Sequence, residues 1–225
     1  MRRSSHPERT CVICRLRLSR FLFAFKTIQE CDSHAVHSQQ SWADANDQNL
    51  FDSEIAPIEI AGKKRGTTEI FDTDEHPRPD ATTDGLAKLP AVFDRANGVV
   101  TAANASGIND GAGSIIIASE QAVQDHNLTP LCRLVSYGIV GCDPSIMGIG
   151  PVPAIQQALK RAGKLSLKDD VDRIEINEAF AAQFLACAKE LDLDMSKTNI
   201  HGSAIAIGAC CVCVLHCDAL FIFKY

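Results

Sequence analysis

The residues of this sequence that are best suited to chemistry are an amide and the three residues after it, the Asn-Glu-Ala-Phe stretch at 177–180. An uncharged amide such as Asn177 can anchor a water molecule or a substrate carbonyl without adding charge. Asn is also a common cap at the start of a helix, and taken alone the four residues favour that structural role.

Two predicted elements meet at this stretch, a short strand at residues 173–177 and a helix from residue 178 to about 191. Ile174 and Ile176 alternate with charged residues, which is the period of a half-buried strand. The apolar residues that follow are spaced as on one helical face: Phe184, Cys187 and Leu191. A strand that ends where a helix begins is the place at which α/β proteins bind ligands.

Three other segments carry recognisable motifs, in addition to the Asn-Glu-Ala-Phe stretch. They are the Gly- and Asn-rich residues 104–113, the Cys-Asp-Pro-Ser-Ile-Met-Gly segment that opens residues 142–154, and the Asp-Glu-His-Pro-Arg-Pro segment at 74–79. In order and separation the four segments resemble the thiolase family, in particular mitochondrial 3-ketoacyl-CoA thiolases. The resemblance covers residues 27–208, which is 182 of 225 residues.

The resemblance implies an α/β fold, mostly the C-terminal half of a thiolase, in which a mixed sheet is flanked by helices, with part of the loop domain. Residues 27–97 match the end of the N-terminal half and the loop domain, and residues 98–208 match part of the C-terminal domain. The basic residues 1–26 and the Cys-rich residues 209–225 lie outside the match.

The reaction that the resemblance implies is cleavage of a 3-ketoacyl-CoA by CoA, which yields acetyl-CoA and a shortened acyl-CoA in fatty-acid β-oxidation. Coenzyme A is then a substrate, and no separate cofactor or metal is expected. Asn177 matches the asparagine that holds a water in the oxyanion hole. The matching CoA- and substrate-binding positions are Ala102, Ser106, Gly107, Ile108, Met147, Ala179 and Phe180. Met147 is almost as well explained as a gap-filling core side chain.

Three of the four catalytic groups of the family have no match. No Gly/Ser-rich turn follows Cys11, Cys14 or Cys31, Ala209 stands at the position of the general-base His, and the final Cys-x-Gly-Gly-Gly loop is missing. Since thiolysis needs a thiolate and a base, we expect this chain to be inactive as it stands. The alternative is a non-catalytic remnant that binds CoA or a protein partner.

Composition narrows the class of protein. The hydrophobic and charged fractions, 46% and 22%, are those of a soluble globular protein, and no apolar run approaches the ~20 residues of a membrane helix. The net charge of −6 argues against nucleic-acid binding. Residues 1–26 resemble a mitochondrial transit peptide in composition, or else are an unrelated segment. By resemblance the location is mitochondrial, and otherwise cytoplasmic; the family forms homo-oligomers, and the oligomeric state of this chain is left open.

Cysteine is the residue type that keeps a third hypothesis open, since the chain has ten. Without a credible signal peptide, mostly reduced thiols are the favoured interpretation. Cys11 and Cys14 have the spacing of half a zinc site, and four residues near the end could form a cluster: Cys210, Cys213, His216 and Cys217. The Cys11–Cys14 spacing has no second half nearby, and a zinc protein that uses the terminal cluster is the least favoured hypothesis.

The remaining pattern predicts the supporting elements. Thr27 and Glu30 form a capping box for a helix of about five turns, whose buried face is spaced by four, three, four and three residues: Cys31, Ala35, Ser38, Trp42 and Ala45. We expect a strand at 51–60, which Pro57 makes an edge strand or an irregular one. We also expect a polar excursion at 61–97, a buried run at 115–117 and a strand at 131–139. Ser119 should cap a helix at 120–126, and a loop should span 145–150. Pro153 should lie in the first turn of a helix that runs to Ala162, and the apolar residues 215–223 could add a strand.

Overall fold

The computed structural model describes residues 27–210 and 219–224, and side chains as far as residue 209. Its helices are α1 (Ile28–Asp47), α2 (Thr83–Leu86), α3 (Glu120–Asp125), α4 (Pro151–Arg161), α5 (Ala181–Leu191) and α6 (Ala204–Ile207). Two 3-10 helices span Pro144–Ile149 and Met195–Lys197. The strands are β1 (Ile58–Ala61), β2 (Thr68–Phe71), β3 (Ile108–Asn109), β4 (Arg133–Ile139), β5 (Ala209–Cys210) and β6 (Ala219–Lys224).

The strands of the described ranges pair in twos. β1 and β2 form an antiparallel hairpin, β3 and β5 pair in parallel, and β4 and β6 pair antiparallel. Parallel and antiparallel pairs are both present, in three separate two-stranded sheets, and together with the helices they agree with the predicted α/β class. The antiparallel partner of β4 is β6, which overlaps the apolar segment 215–223 and extends one residue beyond it. This agrees with the strand expected there.

Helix α1 follows its sequence pattern closely. Thr27 Oγ1 accepts a hydrogen bond from Glu30 N at 3.2 Å, and a Glu30 carboxylate oxygen accepts one from Thr27 N at 2.7 Å. The capping box is therefore formed, and it satisfies backbone donors that no helical carbonyl can reach. The predicted buried face is confirmed in full: Cys31, Ala35, Ser38, Trp42 and Ala45.

Helix α5 lies between two groups of buried side chains, which explains its amphipathic spacing. One group packs Cys31 and Ala35 of α1 against the first turn of α5 and Ile205 of α6. The other packs Phe184 against Ile155 of α4 and against Ile174 and Ile176. These two residues belong to the segment that leads to the Asn-Glu-Ala-Phe stretch, so this second group holds that segment in place. The alternation at 173–177 therefore has the predicted burial. A single parallel bridge, Ile174 to Thr198, takes the place of the predicted strand.

Several other predictions are confirmed with small shifts. Ser119 caps α3 by accepting a hydrogen bond from Ala122 N at 3.1 Å. The strand predicted at 131–139 is β4. The helix predicted to run to Ala162 is α4, and Pro153 lies in its first turn as expected. The expected loop at 145–150 is mostly a 3-10 helix, which Asp143 caps through Ser145 N.

The strand predicted at 51–60 is much shorter in the structure, and the burial predicted for residues 115–117 is wrong. Of residues 51–60 only the last three are extended, as part of β1, and both strands of the β1–β2 hairpin are exposed along their whole length. Ile115, Ile116 and Ile117 are 81%, 94% and 76% exposed and belong to no strand. An apolar run is buried only where another element lies across it, and none of the elements in the described ranges covers these three residues.

Helix α5 also begins three residues later than predicted, at Ala181. Phe180 has extended dihedral angles, φ −146° and ψ 142°, and forms an antiparallel bridge with Ala105. Ala181 N donates to Asn104 O at 2.9 Å, so a carbonyl outside the helix satisfies one of its first N–H groups. The neighbouring chain segment thus holds residues 178–180 out of the helix.

Candidate functional site

The Asn-Glu-Ala-Phe stretch forms a corner between the Ile174 bridge and α5, and the Gly- and Asn-rich segment runs along it. Ser106 donates twice to the carbonyl oxygen of Ala179, from its backbone N at 3.1 Å and from Oγ at 3.3 Å. Together with the Ala105–Phe180 bridge, these bonds bring three of the predicted site residues into one place: Ser106, Ala179 and Phe180. The edge of the Phe180 ring meets the ring of Phe93, with centroids 6.1 Å apart.

The amide of Asn177 has the geometry of a binding group. Its Nδ2 atom is buried and donates to no acceptor in the described part of the chain, although the side chain as a whole is only partly buried. Buried amide donors are almost always hydrogen-bonded, because an unmet donor costs about 1–3 kcal/mol. A helix cap would direct the side-chain oxygen at the next turn; instead, no side chain caps α5. The amide is therefore available to a bound water or a carbonyl.

Glu178, next to Asn177, is a functional candidate that the sequence analysis did not identify. Its side chain is 1% exposed, and its carboxylate lies 2.8 Å from His34 Nε2 and accepts a hydrogen bond from Ser38 Oγ at 2.7 Å. Both partners come from α1, 140 and 144 residues away in the sequence, so no local spacing could have indicated them. The one available signal was an acidic residue inside a predicted buried corner.

An open cavity of about 610 Å³ lies between α1, the 76–81 segment and the Ala-rich residues 102–105. Among the eight predicted site residues, Ala102 lines it; the polar lining comes from Gln39, His76, Arg78 and Asp80. The wall is held by Gln39, whose amide accepts from Arg78 N at 2.7 Å and donates to Ile205 O at 3.1 Å. The cavity thus combines apolar walls with few polar groups, as small-molecule sites do.

Gly107 lies directly against His76. A Cβ at this position would collide with the imidazole ring of His76, whose Nδ1 is 2.7 Å from Ala206 O, so a larger residue would displace that ring. The bond to a carbonyl requires the proton on Nδ1, and it fixes the orientation of the His76 ring beside Gly107. Next to it, Ile108 is exposed in β3. Gly107 therefore joins the cavity wall through His76, and Ile108 points away from the buried core.

Met147 is carried by a different element from the corner. The 3-10 helix that carries it packs on α5, where Cys187 Sγ is 3.3 Å from Gly148 O. That contact is in the second half of α5, whereas Ser106 and Ala179 meet before its first turn. The structure thus brings Ser106, Ala179 and Phe180 together, joins Ala102 and Gly107 through His76, and places Met147 on a third element.

Two carboxyl groups near the site have raised pKa values. Burial raises the pKa of Asp32, and a hydrogen bond from Asn104 Nδ2, at 2.8 Å, opposes the rise. Glu175 is more than a third exposed, yet partial loss of water raises its pKa, and the charge of Glu178 adds to the effect. Because more than a third of Glu175 is exposed to solvent, we expect the rise in its pKa to be small.

The metal hypothesis falls outside the residues that the structure describes. Cys11, Cys14, Cys213, His216 and Cys217 all lie there, and so does the side chain of Cys210. Among the described side chains, no three His, Cys, Asp or Glu residues are grouped as metal ligands. Within the same ranges, no helix is both long enough and apolar enough to cross a membrane.

Two family models match the chain. The model of the thiolase N-terminal domain matches residues 25–121, and the model of the thiolase C-terminal domain matches residues 128–213. The corner therefore belongs to the second match, and α1 and the Gly- and Asn-rich segment belong to the first.

Curated relatives and solved structures agree. The chain is 60% identical over 180 residues to mitochondrial 3-ketoacyl-CoA thiolase of Pongo abelii, which is 80% of this chain and 44% of the relative. It is 49% identical over 177 residues to acetyl-CoA acetyltransferase of Escherichia coli, with 79% and 44% of the two chains covered. The crystal structure of human mitochondrial 3-ketoacyl-CoA thiolase in complex with CoA superposes with a TM-score of 0.74 at 58% identity, over 81% of this chain and 44% of that one.

The chain thus spans less than half the length of these relatives. Both domain models, the similarity to mitochondrial 3-ketoacyl-CoA thiolase and the superposed structures point the same way, and the mixed helix and sheet architecture is that of the thiolase fold. The chain belongs to the thiolase family.

Proposed function

We propose that this chain carries the CoA-binding and oxyanion side of a 3-ketoacyl-CoA thiolase, and that the 225-residue polypeptide binds CoA and acyl-CoA without turning them over. The observation that carries the proposal is the buried Nδ2 of Asn177, which meets no acceptor in the described residues, on a corner that Ser106 holds. The CoA complex of a solved relative supports CoA as the ligand. No other cofactor is required, since CoA is itself the substrate.

Asn177 would anchor, through a water, the oxygen of the acyl thioester. Ala102, Ser106 and Gly107 would line the path of the pantetheine, Phe180 and Ala179 would form the adjacent wall, and Ile108 and Met147 would complete it. Thiolysis itself needs a thiolate and a base, and the methyl group of Ala209 cannot accept a proton. We therefore propose binding without turnover, and descent from a mitochondrial 3-ketoacyl-CoA thiolase, which the names of the relatives support. A former place in fatty-acid β-oxidation is part of the same proposal.

The test compares CoA with acetyl-CoA, because only acetyl-CoA has a thioester oxygen. Asn177→Ala should weaken acetyl-CoA binding by about two- to tenfold, the value of one hydrogen bond, and leave the CoA affinity unchanged. Ser106→Ala should weaken both ligands, whereas Ser114→Ala, the same change at an exposed serine, should weaken neither. Isothermal titration calorimetry measures all four proteins. If wild-type protein takes up neither ligand at millimolar concentration, the proposal is wrong.

A thiolysis assay tests the second part of the proposal. Loss of the general base alone can cost about 10⁶ in rate, and Ala209 stands at its position, so we expect no turnover of acetoacetyl-CoA or of a longer 3-ketoacyl-CoA. Turnover that disappears in Cys210→Ala would show that a terminal cysteine replaces the nucleophile, and the inactive assignment would have to be withdrawn. The alternative is a remnant that binds a protein partner, and it predicts that calorimetry detects no binding of CoA.

A further inference from the structure

Glu178 is the point at which four chain segments meet. One carboxylate oxygen lies 2.8 Å from His34 Nε2 and 3.4 Å from Asn199 Nδ2. The other accepts hydrogen bonds from Ser38 Oγ at 2.7 Å and from Ile205 N at 3.2 Å. An ionised carboxylate has only acceptor sites, so it suits four donors, and each bond to a charged acceptor is stronger than a neutral one.

The residues on both sides of Glu178 are held as well. Asn199 accepts from Ile176 N and donates to Ile176 O, both at 2.8 Å, so it pairs with the backbone ahead of the corner as a neighbouring strand would. After the corner, Ala179 O accepts the two bonds from Ser106. Asn177 lies between these fixed points. Its amide therefore has a direction only as long as the backbone of residues 176–179 stays in place.

We propose that Glu178 is a positioning residue for the candidate site, which holds Asn177 and Ser106 in register without touching the ligand. The inference rests on the proposed function for its ligand, but its local mechanism does not. At 1% exposure Glu178 is out of reach of a bound CoA. Its partners His34 and Ser38 belong to α1, so that helix is part of the support of the site, and the buried ring of Phe184 stacks on His34 at 4.4 Å.

The variant Glu178→Gln retains the shape and offers one acceptor oxygen instead of two. We expect a folded protein by circular dichroism whose CoA affinity is lower by about tenfold or more. Glu175→Gln is the matched control, because it makes the same change on a side chain that is more than a third exposed, and its affinity should stay within about twofold of wild type.

A double-mutant cycle with Ser106→Ala separates positioning from general loosening. If Glu178 acts through Ser106, the two losses of CoA affinity are less than additive, whereas independent effects add within error. Additive losses would overturn the positioning role.

Amide hydrogen exchange decides the same question without any ligand. In Glu178→Gln the Ser106 N–H, which is bonded to Ala179 O, should exchange at least about tenfold faster, while the amides of β4 keep their wild-type rates. Equal acceleration in both places, or no change at Ser106, would refute the proposal. If wild-type protein binds no CoA, the proposed function fails, but the exchange result still decides the role of Glu178. Should Glu178→Gln not fold, Ser38→Ala, which removes one donor and keeps the carboxylate, is measured in the same way.

Discussion

Removing the ring of Phe184 should be the most damaging single truncation in the described core. The side chain is fully buried between Ile174, Ile176 and Ile155, and its ring stacks on His34 with centroids 4.4 Å apart and planes inclined by 15°. Phe→Ala at a buried site costs about 3–5 kcal/mol, from lost transfer free energy and from the cavity left behind. The stack adds about 0.5–1.5 kcal/mol to that, as for other aromatic pairs.

The upper half of that range is expected, because the cavity would open beside a buried polar pair. His34 would lose the ring that covers it while it still holds Glu178, so water or a strained rearrangement would have to fill the space. For a chain of this size, 4 kcal/mol of lost stability corresponds to roughly 8 to 16 °C in the melting temperature.

The assay is urea unfolding followed by circular dichroism, with the slope checked for constancy. Phe93→Ala is the matched control, since Phe93 is 49% exposed and should cost about 1 kcal/mol. A Phe184→Ala variant that unfolds at the same urea concentration as Phe93→Ala would show that the packing around α5 does not carry the stability assigned to it.

Three further changes test separate parts of the chain. Burial raises the pKa of Asp32 in the folded chain above about 3.9, its usual value, so ionisation of Asp32 opposes folding. As the pH of the unfolding experiment rises from the usual pKa to the raised one, the stability of Asp32→Asn relative to wild type should increase. At higher pH the difference should level off. A pH-independent difference would contradict the burial argument. Gly202→Ala should destabilise by at least about 1 kcal/mol, since φ is +75° and a Cβ would lie 2.5 Å from a backbone oxygen of α1, and a thermal melt with no shift would disprove the strain. Thr27→Ala should cost about 1 kcal/mol by removing the cap of α1, while Thr27→Ser should keep it; equal melting temperatures for the two variants would contradict the capping role.

Patterns that close within one helical turn or one strand were predictable. The capping box at Thr27 and the Ser119 cap involve partners three residues away, and the helical face of α1 repeats within its own length. The alternation of Ile174 and Ile176 likewise gave the correct burial. In each case the interacting residues lie within a few positions of one another in the sequence.

Predictions failed where burial depends on a distant element. The apolar run around Ile116 is typical of a core strand, but no element in the described ranges packs on it. A hydrophobic segment is buried only where another element covers it. The start of α5 was placed too early because the bonds from residues 104–106 to residues 179–181 join segments that are about 75 residues apart. Propensity yields to such pairing when the backbone groups can bond elsewhere.

The four sequence segments by themselves determined the family, the α/β class and the location of the corner, because those features are written in residue types and short spacings. Only the tertiary structure decided that Glu178 is buried beneath four donors and that Asn177 Nδ2 finds no acceptor in the described residues. The physical reason is that a hydrogen bond or a desolvated carboxylate depends on where two segments meet in space, and sequence spacing fixes that only for neighbours along the chain.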